Sequence, residues 1–102
     1  DTDTFSRKYI VTRQEGYTEI NIIGKARKGK HKYMVIGEGK SQLSRRDVDR
    51  FINKKLRLLE GMFKEDIFPI MVTHMPSEPG VEEYAIAKGI KKIYYSYEFV
   101  SV

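Results

Sequence analysis

Apolar and polar positions divide the chain into seven patterned segments. Residues 7–13 (RKYIVTR) and 17–25 (YTEINIIGK) are rich in β-branched and aromatic side chains and partly alternate. They predict two strands around a turn at Glu15-Gly16. Residues 31–38 (HKYMVIGE) predict a third strand. Between them, Arg27-Lys28-Gly29-Lys30 predicts a tight turn, since glycine takes the positive φ that a hairpin turn requires. The second and third strands should therefore form a hairpin.

The period then changes. Val48, Phe51, Ile52, Leu56, Leu59 and Phe63 recur at helical spacing, with Asp49, Arg50, Lys54, Arg57 and Glu60 on the other side. Ser44 with Asp47 three residues on reads as a capping box, and Leu43 with Val48 as its hydrophobic staple. Gly61 weakens the last turn. Residues 67–74 (IFPIMVTH) predict a fourth strand, with Pro69 near its start or at a bulge because it lacks an N–H. Ser77-Glu78-Pro79 predicts the opening of a second helix, with Val81, Tyr84 and Ala85 facing inward. Gly89 ends it, and Ile90 packs behind. Residues 92–99 (KIYYSYEF) predict a last strand. The order β-β-β-α-β-α-β is that of an α/β domain, a mixed sheet with helices packed on it. Right-handed crossovers put the third, fourth and fifth strands in one sheet.

Composition narrows the classes. A chain of 102 residues holds one core. With 40% hydrophobic and 32% charged residues it has the profile of a globular domain. No apolar run approaches the roughly 20 residues a membrane-spanning helix needs. The absence of cysteine excludes disulfides and cysteine-based zinc sites. The polar, acidic start Asp1-Thr2-Asp3-Thr4 is not a signal peptide. Together these predict a cytoplasmic protein, with residues 1–102 as one domain cut from a longer chain. A net charge of +5 favours polyanionic partners.

The candidate chemistry is Glu38-Gly39-Lys40, at the end of the third apolar run. Residues i and i+2 of a strand share a face about 6–7 Å apart. A carboxylate there can ligate Mg²⁺, and a lysine beside it can orient a water or neutralise charge on a phosphate. Acid-x-Lys triplets are common, and the bland reading is a surface strand end. The strand before it and the capped helix after it raise this one above that reading.

The stretch EIN…VIGEGKS…SRRDVDRF resembles the PD-(D/E)xK nuclease superfamily, the restriction-endonuclease-like fold. More narrowly, it is similar to uncharacterised archaeal and bacterial families with an EVD…VEVKS…DV-x-x-F pattern. The likeness runs from about Tyr17 to Tyr97. It implies a DNA-directed, Mg²⁺-dependent endonuclease-like site. Glu38 matches the metal-binding acid and Lys40 the lysine, with Ser41 and Gln42 lining the site. Asn21 stands where the pattern has its metal-binding aspartate, and its neutral amide is a poorer Mg²⁺ ligand than a carboxylate. Glu19, two positions away on the same face, is the acid that could take its place, one strand step further along. The helix that usually precedes the first strand is absent from this sequence. Two readings stay open: a nucleic-acid-binding, nuclease-like domain with a degenerate metal site, and a non-catalytic interaction module that forms homodimers.

Further basic positions fit a nucleic-acid partner. Lys25, Arg27, Lys28, Lys30 and Lys32 surround the hairpin turn, with His31 among them. They could hold phosphates without reading sequence, or simply keep a sheet edge soluble. Arg45, Arg46 and Arg50 lie in the first turns of the helix, where cations oppose the macrodipole and a nearby anion would explain them. His74 has no second His or Cys at ligand spacing and reads as structural or exposed. Tyr94, Tyr95, Tyr97 and Phe99 read as core or dimer contacts, and Met62, Met71 and Met75 as packing residues.

Overall fold

The computed structural model describes residues 10–13 and 20–95, with side chains from Ile22 onward. Five strands form one sheet in sequence order: β1 (Ile10–Arg13), β2 (Ile20–Lys28), β3 (His31–Leu43), β4 (Asp66–Pro76) and β5 (Lys92–Tyr95). The first two pairings are antiparallel and the last two parallel. A continuous helical segment links β3 to β4: α1 (Arg45–Arg50), a π-helical turn (Phe51–Leu56) and α2 (Arg57–Leu59). Helix α3 (Val81–Ala87) links β4 to β5. Both parallel connections step in one direction across the sheet, so right-handed crossovers put both helices on the same face.

Alternation along β3 assigns its residues to the two faces. Met34 and Ile36 join Leu43, Val48, Phe51, Met71, Val81, Ala85 and Ile90 in the core beneath the helices. On the other face Val35 packs with Ile22, Ala26, Ile70, Val72 and Tyr94. Gly37 is on this second face because a side chain would not fit. A Cβ there would lie 2.7 Å from Ile70 Cγ1 and 3.3 Å from Ile22 Cβ.

The capping box forms as the sequence predicts. Ser44 Oγ accepts from Asp47 N at 3.1 Å, and Asp47 Oδ2 accepts from Ser44 N at 3.0 Å. Leu43 and Val48 are both buried beside it, as the staple requires. Helix α3 ends in a Schellman motif: Gly89 has φ 112°, Ile90 N donates to Ala85 O at 3.0 Å, and Gly89 N donates to Ile86 O at 3.1 Å. Pro69 lies inside β4, yet its carbonyl accepts from Lys91 N, just before β5 begins. The missing N–H points to that same side, where no ladder bond is lost.

Several boundaries differ from the sequence expectation. Strand β2 runs on through Arg27 and Lys28, so the turn is only Gly29-Lys30, with Gly29 at φ 61°. That sign at the first turn position fits a II′ hairpin, whose twist matches the strands. Strand β3 continues five residues past Glu38, paired with β4 as far as Leu43. Helix α3 begins at Val81 rather than near Ser77, and its N-cap is Gly80 at φ 88°. The expected first and last strands extend beyond the described residues.

Candidate functional site

Glu38 and Lys40 are not at a strand end. They continue the face of Met34 and Ile36, and that face lies under the helical segment. The motif is therefore a charged continuation of the core, near the carboxyl ends of two parallel strands. Clefts at such ends are the usual ligand positions of α/β sheets. Position 21 on β2 is the register partner of Glu38. Thr73 on β4 is that of Lys40, and its Oγ1 donates to Met75 O at 2.9 Å.

Two ion pairs tie this face to the helix above it. Lys55 Nζ is 2.9 Å from Glu38 Oε1, with side-chain exposures of 29% and 12%. Lys40 Nζ is 3.5 Å from Asp47 Oδ1, with exposures of 21% and 11%. Arg50 Nη1 lies 3.8 Å from the same Asp47 oxygen. One carboxylate thus serves the helix cap and the motif lysine together. Burial alone would raise the Asp47 carboxyl, but hydrogen bonds from Ser44 and the charge of Lys40 outweigh it and hold the group below its ordinary 3.8. The cluster has three cations (Lys40, Arg50, Lys55) and two carboxylates (Glu38, Asp47), an excess of one positive charge.

A groove of about 570 Å³ opens beside Glu38. Its walls are apolar, from Ile23, Ile36, Leu58 and Leu59, and Arg50, Lys54 and Lys55 stand on its rim.

The remaining expected site residues are scattered. Lys25, Arg27 and Lys28 are on β2 and Lys30 is in the turn, all exposed. The turn begins seven residues from Glu38 along β3, about 23 Å at strand rise. The hairpin tip therefore forms a basic patch separate from the Glu38 cluster. Arg46 and Gln42 are exposed. Arg45 is engaged in holding the turn before α3: it is 2.8 Å from Glu78 Oε1, donates to Pro79 O, and lies over the Tyr84 ring. Glu19 lies outside the described residues, as does the side chain of Asn21. His31 Nε2 is 2.8 Å from Asp66 Oδ2, and His74 is exposed.

Asp47 enters the cluster by a role beyond its cap, and Lys55 was not singled out from the sequence. A signal for Lys55 was there. It stands four residues after Phe51 and four before Leu59, in the middle of the apolar stripe. A lysine at that place needs a counter-charge beneath it, and Glu38 supplies one.

Of the donors expected for Mg²⁺, the described side chains include Glu38, while Glu19 and the Asn21 side chain lie outside them. Among the described residues no three His, Asp or Glu side chains gather as a metal site. Glu38 is the one carboxylate on its stretch of β3, and an ammonium already sits at hydrogen-bond distance from it. No helix among the described residues is long and apolar enough to cross a membrane.

No protein-family profile and no curated protein sequence matches the chain. Among solved structures, EndoMS in its apo form is similar: the TM-score is 0.62 at 13% sequence identity, over 93% of this chain and 41% of that one. The chain thus spans about two fifths of the EndoMS chain. At that identity the likeness carries the fold. The mixed sheet, the hairpin ahead of the parallel strands and the helix after β3 are those of an α/β domain with the restriction-endonuclease-like fold.

Proposed function

We propose that this is a nuclease-like nucleic-acid-binding domain that holds the phosphodiester backbone, at a site whose metal centre has decayed. The observation that carries this reading is the cation excess around Glu38 and Lys40, where a restriction-endonuclease-like nuclease such as EndoMS supplies the fold analogy. Phosphates are held by lysine and arginine charge without any reading of sequence. Glu38 and Lys40 descend from a cleavage site. Asn21, the register partner of Glu38, is an amide residue at the position where the resemblance implies a second carboxylate.

The test is fluorescence anisotropy with labelled duplex DNA, single-stranded DNA and RNA over stepped salt, in EDTA and in Mg²⁺. Binding should weaken steeply with salt and be unchanged by EDTA. Cleavage is expected to be absent in Mg²⁺ and Mn²⁺. Cleavage by the natural sequence that Glu38→Ala abolishes would instead make it an active nuclease. No salt-dependent binding to any of the three would end the nucleic-acid reading.

A second reading rests on exposed apolar side chains. Leu58, which lines the apolar groove, is 77% exposed, and Met62, just after α2, is 67% exposed. These suit a self-association surface. Light scattering at rising concentration tests it, and a monomer throughout would count against a dimerisation module.

A further inference from the structure

Lys55 stands where its own helix pattern calls for an apolar side chain. Val48 is seven residues before it, Phe51 four before, and Leu59 four after, all on the buried stripe. Its ammonium nevertheless reaches Glu38 Oε1 at 2.9 Å while lying 5.8 Å from the centre of the Phe51 ring. The helix is π-helical here, a geometry frequent at functional sites. The ammonium thus lies over the aromatic ring and against the carboxylate together. Glu38 is only 12% exposed. Without a cation its charge would be poorly solvated, and either a metal or an ammonium can meet that need.

We propose that Lys55 is a built-in cation that has taken the place of the divalent metal at Glu38, so that the site is metal-independent and keeps divalent ions out. A metal entering here would have to displace the ammonium from the carboxylate oxygen. It would also meet the charges of Lys40 and Arg50, which gather at Asp47 nearby. Asn21 is then one half of the loss of metal binding, and Lys55 the other. Restoring the acid at position 21 alone does not restore the metal. This inference rests on the reading of Glu38 and Lys40 as the ancestral site.

Mn²⁺ titration of the whole chain, followed by the electron paramagnetic resonance of free Mn²⁺, tests it without any nucleic acid. Wild type and Asn21→Asp should show no saturable binding that depends on Glu38. The double variant Asn21→Asp/Lys55→Met should gain saturable binding, about tenfold or more tighter than the weakest affinity the titration can detect for Asn21→Asp, because one repelling charge has gone. Adding Glu38→Gln to the double variant should abolish the gain, and Lys55→Arg in place of Lys55→Met should not produce it. The proposal is overturned if wild type binds Mn²⁺ through Glu38, or if Asn21→Asp alone binds as well as the double variant. Should Lys55→Met fail to fold by circular dichroism, Lys55→Gln replaces it, and the wild-type and Asn21→Asp titrations still decide. Mn²⁺ results as expected with no nucleic-acid binding would defeat the proposed function alone. Nucleic-acid binding together with wild-type Mn²⁺ binding at Glu38 would defeat this inference alone.

Discussion

Asp47 is the most economical place to perturb the link between fold and site. Its carboxylate accepts from Ser44 N at 3.0 Å and from Ser44 Oγ at 2.8 Å, and stands 3.5 Å from Lys40 Nζ. Asp47→Ala removes the acidic half of the capping box, worth about 1 kcal/mol. It also leaves Lys40, 21% exposed, without this carboxylate. A lost bond between charged groups adds about 1–2 kcal/mol. The total is about 2–3 kcal/mol, or roughly 10–20 °C in Tm for a domain near this size. Asp47→Asn keeps an acceptor oxygen for the cap and loses only the charge, so it should cost about half as much.

The pH dependence has a definite sign. The folded carboxyl lies below its ordinary 3.8, so its stabilisation is present above that pH and lost as pH falls through the folded value. The stability gap between wild type and Asp47→Asn should therefore be flat near neutrality and shrink on acidification below 3.8. Urea melts at stepped pH measure it. A double-mutant cycle with Lys40→Met should give a coupling of about 0.5 kcal/mol or more. A Tm change under about 3 °C for Asp47→Ala, zero coupling, or a gap that widens in acid would each refute the reasoning.

Two further outcomes follow from local geometry. Gly37→Ala places a Cβ 2.7 Å from Ile70 Cγ1 and 3.2 Å from Ile70 O, so it should destabilise by about 1–3 kcal/mol in chemical denaturation; a neutral result would mean Ile70 repacks freely. The Tyr84 phenol donates to Asp49 Oδ1 at 2.7 Å, and this bond raises it above the ordinary 10.0. Phenolate absorbance in an alkaline titration should therefore show one late-ionising tyrosine that Asp49→Asn moves earlier, and no movement would show that the bond does not govern it.

Local signals in the chain were enough for the order of strands and helices among the described residues, the capping box, the Schellman ending at Gly89 and the stripe that faces the sheet. Each depends on neighbours within a few residues, through backbone hydrogen bonds and periodic burial. The boundaries were less legible. Glu38 reads as the end of an apolar run, but β3 goes on to Leu43 because β4 supplies ladder partners that sequence cannot announce. Polar residues are tolerated there since the helix brings opposite charges to meet them.

The candidate site divides into two parts. Glu38 and Lys40 were candidates from their spacing, because strand alternation fixes what shares a face, and Asn21 was a candidate from the resemblance. That Glu38 is matched by Lys55, and Lys40 by Asp47, was decided only in three dimensions. The helical segment crosses β3 at one particular height, and its π-helical turn has no evident cue in Phe51-Ile52-Asn53-Lys54-Lys55-Leu56. Which cation meets a largely buried carboxylate is a question of tertiary packing. Here the packing brings the Lys55 ammonium to Glu38.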